Sequence, residues 1–141
     1  MPITAFDHYT IRARDVDVSA GFYQDILGLR AQVLDGFEFP FRLMFLGDQA
    51  IVHLMGAGAA LDAFLGRQAP AYAAKPQRIT GNLEHVAFNA TGLAGFMDRL
   101  KIAGIAYVER SLPDHGVAQL MFDDRDGVEI EVNFPIAEKL A

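Results

Sequence analysis

Apolar and polar residues alternate along this chain in two long stretches, and the order of the elements they predict is the same in both. In the first stretch, residues 5 to 55, alternation over Phe6 to Arg12 predicts a strand. A helical period follows from about Val16 to Leu27, with Val18, Phe22 and Ile26 recurring every four residues beside Tyr23 and Leu27. Asp15 or Asp17 can cap its start, and Gly28 can take the left-handed conformation that ends it. Extended segments come next at Ala31 to Leu34, Phe41 to Leu46 and Ala50 to Met55. The second stretch, residues 83 to 134, repeats the order: a strand from Leu83 to Asn89, then a helix from about Leu93 to Ala103 with Leu93, Phe96, Met97 and Leu100 on one stripe. Gly104 stops that helix, and strands at Ala106 to Arg110, Val117 to Asp123 and Val128 to Phe134 complete the set. Gly47-Asp48 and Asp126-Gly127 supply tight turns before the last strand of each copy. Both stretches read β-α-β-β-β, so the chain is a tandem duplication in outline. Gly56 to Asn82, rich in alanine, glycine and proline and with room for a short helix at Ala60 to Leu65, reads as the connection.

The duplication gives the histidines a context. His8 lies on the first strand of copy one and His85 on the first strand of copy two. His53 follows His8 by 45 positions and Glu131 follows His85 by 46, each five residues after a turn aspartate, Asp48 or Asp126. Strand residues alternate faces. His8 therefore shares a face with Phe6 and Thr10, His53 with Ile51 and Met55, His85 with Ala87 and Asn89, and Glu131 with Glu129 and Asn133. The opposite faces carry Tyr9, Ile11, Val52, Leu54, Val86, Phe88, Ile130 and Val132, which should bury against the helices. Alone, a strand histidine is usually a hydrogen-bonded structural residue. Three histidines and a glutamate at matching points of a repeated module instead predict a shared metal.

Composition narrows the chemistry. With 141 residues and 52% hydrophobic content, the chain can bury an ordinary core. It has no cysteine, which excludes thiolate metal sites, disulfides and cysteine nucleophiles. Imidazole and carboxylate suit Fe(II), Mn(II), Ni(II), Co(II) or Zn(II), and such a ligand set leaves open positions for a substrate with neighbouring oxygens. A net charge of −6 argues against nucleic acid as a partner and favours a small-molecule ligand. No segment has the run of about 20 apolar residues that a membrane helix needs, and Met1 to Thr10 lacks the pattern of a secretion signal. The default expectation is cytoplasmic.

The segments Phe6-Asp7-His8-Tyr9-Thr10, Phe22-Tyr23, Leu27-Gly28-Leu29, Glu84-His85-Val86-Ala87-Phe88 and Asp126-Gly127 running into Glu129-Ile130-Glu131 resemble the vicinal-oxygen-chelate superfamily of glyoxalases, extradiol dioxygenases and bleomycin-resistance proteins. The resemblance implies an α+β fold: one domain over residues 1–141, in which tandem βαβββ modules form a curved, barrel-like mixed sheet around a metal cleft, helices outside. Module one would span about 5–55, the linker about 56–82 and module two about 83–134. Carried over, His8, His85 and Glu131 match the family's two-histidine, one-glutamate metal set. His53 stands where glyoxalase I has glutamate and methylmalonyl-CoA epimerase, another member, has glutamine, so it is either a fourth ligand or a base or substrate contact beside the metal. The implied function is a metal-dependent lyase, isomerase or extradiol-type dioxygenase. The alternative is a binding protein that sequesters a small molecule. The family commonly pairs chains, which implies a homodimer.

Some features depart from particular subfamilies. Leu120-Met121-Phe122 offers no tyrosine where extradiol enzymes carry one, and no lysine or arginine cluster matches a phosphonate pocket. The bleomycin binders generally lack the metal set. His115, in a turn before a strand, can serve as a proton carrier at the cleft mouth or lie free in water. Gln119 and Glu129 can line the same cleft or sit solvated at the surface. Phe37, Phe39 and Phe41 can wall an apolar pocket, or belong to a core or dimer contact. Asp123, Asp124 and Asp126 read as a solvated bend rather than a second metal site.

Overall fold

The structure, a computed structural model, describes residues 6, 8–68 and 85–140. The chain divides into two compact units, Met1–Gln77 and Arg78–Ala141, and each carries one four-stranded mixed sheet. Neither sheet closes into a barrel among the described residues.

In the first unit the order along the chain is β1 (Tyr9–Ala13), α1 (Val16–Asp25), β2 (Arg30–Val33), β3 (Phe41–Leu46), β4 (Gln49–Gly56) and α2 (Ala59–Gln68). The sheet runs β1-β4-β3-β2, with β1 parallel to β4 and the other pairs antiparallel. One face is the core: Ile11, Met44, Val52 and Leu54 are buried together with Val16, Ala20, Phe22 and Tyr23 of α1. Asp15 caps α1, its side chain accepting from the Val18 N–H at 3.1 Å, while Asp17 pairs with Arg42 at 2.9 Å. Gly28 (φ 71°) ends the helix as expected. The helix buries Phe22, Tyr23 and Ile26 as expected, but the stripe departs at its start. Val18 is exposed, and the small residues Ser19 and Ala20 are buried in its place. Small side chains at these positions let the helix backbone lie close to the sheet.

The expected linker helix is longer than Ala60 to Leu65, and it does more than connect. Leu61 is fully buried in a cluster with Phe39 and Phe41, flanked by Leu34, Leu43, Met55 and Phe64. Antiparallel register pairs Phe41 with Met55 and Leu43 with His53, so these four share a face. α2 therefore covers one end of the face that carries His53, opposite to the α1 face. Gly56, where a Cβ would stand 2.8 Å from the Pro40 ring, lets Pro40 pack directly on its backbone.

The second unit repeats the plan: β5 (His85–Asn89), α3 (Leu93–Ile102), β6 (Val108–Leu112), a 3-10 turn (Pro113–His115), β7 (Val117–Asp123), β8 (Glu129–Pro135) and α4 (Ala137–Leu140). Its order is β5-β8-β7-β6, with β5 parallel to β8. Leu93, Phe96 and Leu100 of α3 are buried, as are Leu120, Phe122, Ile130 and Val132 on the sheet. The turn between β7 and β8 is not solvated throughout. Asp124 is buried, and its Oδ1 accepts from the backbone N–H groups of Asp126 (2.8 Å) and Val128 (2.9 Å), which makes it the pin of the turn. Leu83 and Glu84, read above as strand and motif residues, lie outside the described residues, as does Asp7.

Candidate metal centre

Strand register explains why the candidate ligands occupy equivalent places. In the first unit Tyr9 pairs with Val52 and Thr10 with His53; in the second His85 pairs with Glu129 and Ala87 with Glu131. Continuing the first ladder back one residue sets His8 beside Ile51. Each unit thus has a histidine at or just before the start of its first strand and a donor two residues beyond the position opposite that histidine. The parity argument holds here: neighbours Val52, Leu54, Ile130 and Val132 point into the two cores.

His8 lies just before β1 rather than within it, because the ladder begins at Tyr9. The backbone ahead of it is tethered differently: the Phe6 carbonyl accepts from the Gln49 side-chain amide at 2.9 Å. The imidazoles of His8 and His53 stack, with centroids 3.6 Å apart and planes 7° from parallel. Phe41 stands 5.8 Å from the His53 ring, at the edge of an aromatic cluster with Phe37, Phe39 and Phe64. Phe39 and Phe41 are core residues, whereas Phe37 is 39% exposed.

In the second unit His85 Nε2 and Glu131 Oε2 are 3.5 Å apart. Two donors each about 2.1 Å from one cation stand roughly 3.0–3.4 Å apart at tetrahedral or octahedral angles. At 3.5 Å the pair stands close to that separation, a distance that a loose imidazole–carboxylate contact also takes. Glu131 is buried, and its other oxygen is engaged: Gln119 Nε2 donates to Oε1 at 2.9 Å and also to Asn133 Oδ1 at 2.9 Å. Gln119 Oε1 accepts from Arg110 Nε at 2.7 Å. Gln119 is thus a buried group (6% exposed) bonded to Glu131 rather than a solvated one. Glu129 is the ladder partner of His85 and is half-buried. A depression of about 290 Å³, lined by Tyr107, Val108, Met121 and Glu129 among others, opens at this end of the sheet.

His115 is exposed in the 3-10 turn before Val117. Val117 pairs with Pro135, whereas Asp123 at the other end of β7 pairs with Glu129, the neighbour of His85. At about 3.3 Å per residue, His115 and His85 belong to opposite ends of this sheet, roughly 20 Å apart.

Among the described residues, no group of three or more His, Cys, Asp or Glu side chains is arranged to hold a metal. The four candidates stand as two pairs, one in each unit. Neutral imidazole and carboxylate are the right donor types, and the buried, oriented carboxylate of Glu131 fits a ligand role.

The family profile of the Glyoxalase/Bleomycin resistance protein/Dioxygenase superfamily matches residues 5–132. The chain belongs to this superfamily. A curated relative, "Glyoxylase I 4" of Arabidopsis thaliana, is 28% identical over 132 residues, which is 92% of this chain and 70% of the relative. Among solved structures, the fosfomycin resistance protein FosX of Listeria monocytogenes superimposes with a TM-score of 0.66 at 16% identity, covering 99% of both chains. TnmS3, an antibiotic binding protein from Streptomyces sp. CB03234, does so with a TM-score of 0.63 at 19% identity, over 96% of this chain and 98% of that one. At these identities the two structures speak for the fold. The superfamily contains both enzymes and binding proteins, so its name leaves the activity open.

Arg110 and Asn133 were not legible as partners of Gln119. The strand read as ending at Arg110 runs on to Leu112, and only the full hairpin register, Leu112 opposite Val117, sets Arg110 opposite Gln119. Ser111 and Pro113 look like loop residues, which hid that register.

Proposed function

We propose that this chain is a divalent-metal-dependent enzyme acting on a small substrate that binds through neighbouring oxygen atoms. His8, His85 and Glu131 serve as metal ligands, and His53 serves as a fourth. The carrying observation is the His85–Glu131 pair at 3.5 Å, with one carboxylate oxygen held by Gln119 and the other facing the imidazole. The matching position of His53 in the first unit supports the same reading; the stacked His8 and His53 rings turn out of parallel for both nitrogens to meet one cation. It requires both pairs to serve one cation. When bound, such an ion polarises substrate oxygens and stabilises developing negative charge. The chain's own contribution is to fix the carboxylate donor: Gln119 orients Glu131. His115 is assigned no step, because its turn lies at the far end of the sheet from His85.

Metal analysis of protein purified without chelator tests this reading. Near-stoichiometric Mn, Fe, Ni, Co or Zn is expected, with binding weakened about 100-fold or more in His85→Ala and Glu131→Ala, beyond what loss of a merely supporting group gives. Metal-free protein that also fails to bind added ions would overturn it. Anaerobic loading followed by assay against a catechol and a thiol hemiacetal then separates a dioxygenase from a lyase or isomerase.

A second reading, a sequestering protein without turnover, is favoured by the fold likeness to TnmS3 and by the aromatic cluster beside His53. It predicts ligand binding that survives removal of metal.

A further inference from the structure

Between Glu131 and the edge of its sheet runs a line of hydrogen bonds whose direction is fixed. Arg110, Gln119 and Asn133 occupy one rung across β6, β7 and β8; Val108, Met121 and Glu131 occupy the next. The guanidinium can only donate, so Gln119 must turn its carbonyl oxygen toward Arg110. Its NH2 group then faces Glu131 and Asn133, with one N–H for each. The amide is buried and both ends are used, so a flipped orientation would leave donors facing donors.

The spacing has a chemical consequence. An arginine placed directly on a glutamate tends to engage both oxygens of the carboxylate. With an amide interposed, Arg110 influences Glu131 while only Oε1 is engaged, and Oε2 is left toward His85. We propose that Arg110 is a positioning residue for the metal centre: acting through Gln119, it presents Glu131 to the cation by Oε2. This inference rests on the metal reading above and adds the device that sets how the carboxylate is offered. The first unit has no counterpart, since Phe41 holds the place equivalent to Gln119.

The sign of the effect distinguishes this role from plain electrostatics. Removing a positive charge near a cation site strengthens cation binding if Coulomb repulsion is all that changes. Loss of the relay weakens it. The test is Mn(II) titration of the full chain by calorimetry, with thermal unfolding of the metal-free protein alongside. Arg110→Ala is expected to bind Mn(II) roughly 10- to 100-fold more weakly, the usual cost of losing a group that orients a ligand. Arg110→Lys, which can still donate to Gln119 Oε1, should recover most of the loss. The Arg110→Ala/Gln119→Ala double variant should be no weaker than Gln119→Ala alone, because both substitutions break one line. Unchanged or tighter binding in Arg110→Ala, or losses that multiply in the double variant, overturns the relay while leaving the metal reading intact. A parent chain that binds no Mn(II) or other divalent ion overturns both.

Discussion

The two units share a backbone plan and diverge on one rung. In the second unit the rung beside the candidate carboxylate is polar, with Arg110, Gln119 and Asn133 joined by hydrogen bonds. In the first, the equivalent places beside His53 hold Phe41 and Met55, roofed by Phe39, Phe64 and Leu61. On the proposed metal reading, the difference suits the two kinds of donor. A carboxylate has two oxygens that must be told apart, and buried hydrogen bonds do that. An imidazole is a rigid ring, which packing against other rings can hold.

The largest test of this contrast is to exchange what each rung needs. Phe41→Ala should destabilise the protein by about 3–5 kcal/mol, because it opens a cavity in the aromatic cluster. Gln119→Leu should cost less, about 1–3 kcal/mol, from the polar groups left without their partner, yet weaken Mn(II) binding more than Phe41→Ala does, because His53 keeps its contact with His8 when Phe41 is lost. Urea unfolding of the metal-free proteins and calorimetric titration read the two effects separately. If Phe41→Ala weakens the metal as much as Gln119→Leu does, the division of labour is wrong.

A smaller contrast lies at the helix starts. α1 is capped by its own Asp15, whereas Gly92 before α3 has no side chain to offer. Glu138 of α4 supplies that cap instead, accepting from the Gly92 and Leu93 N–H groups at 2.8 and 2.7 Å. Asp15→Ala and Glu138→Ala should each cost about 1 kcal/mol, seen as lower urea midpoints; a loss only in Asp15→Ala would mean that α3 does not depend on the distant carboxylate. The smallest expected effect is that of His115→Ala, within about 0.5 kcal/mol for an exposed turn position and with metal affinity unchanged. A large loss there would bring His115 back as a functional residue.

How much of this was legible depended on how local the cause was. Phe41–Leu46 and Val117–Asp123 were readable to the residue, since alternation there is bounded by Pro40, Gly47 and Gly116. The facing of His53 and Glu131 followed from parity alone. Val18 misled because a step of four residues back from Phe22 drifts off the face that Phe22, Tyr23 and Ile26 share, which Ser19 and Val16 continue. The 3-10 turn at Pro113–His115 and α4 carry too few residues for any period to register. The role of α2 on the His53 face, the burial of Asp124 and the Arg110 line all depend on strand pairing across distances that no local window contains.

The borrowed cap also has a bearing on synthesis. As the chain leaves a ribosome, α1 meets its aspartate at once, but the N-terminal amides of α3 wait some 45 residues for their carboxylate. During that interval the α3 amides lack their carboxylate and Phe96 lacks its ring contact with Phe134, so the half-made unit exposes apolar surface that can mispair.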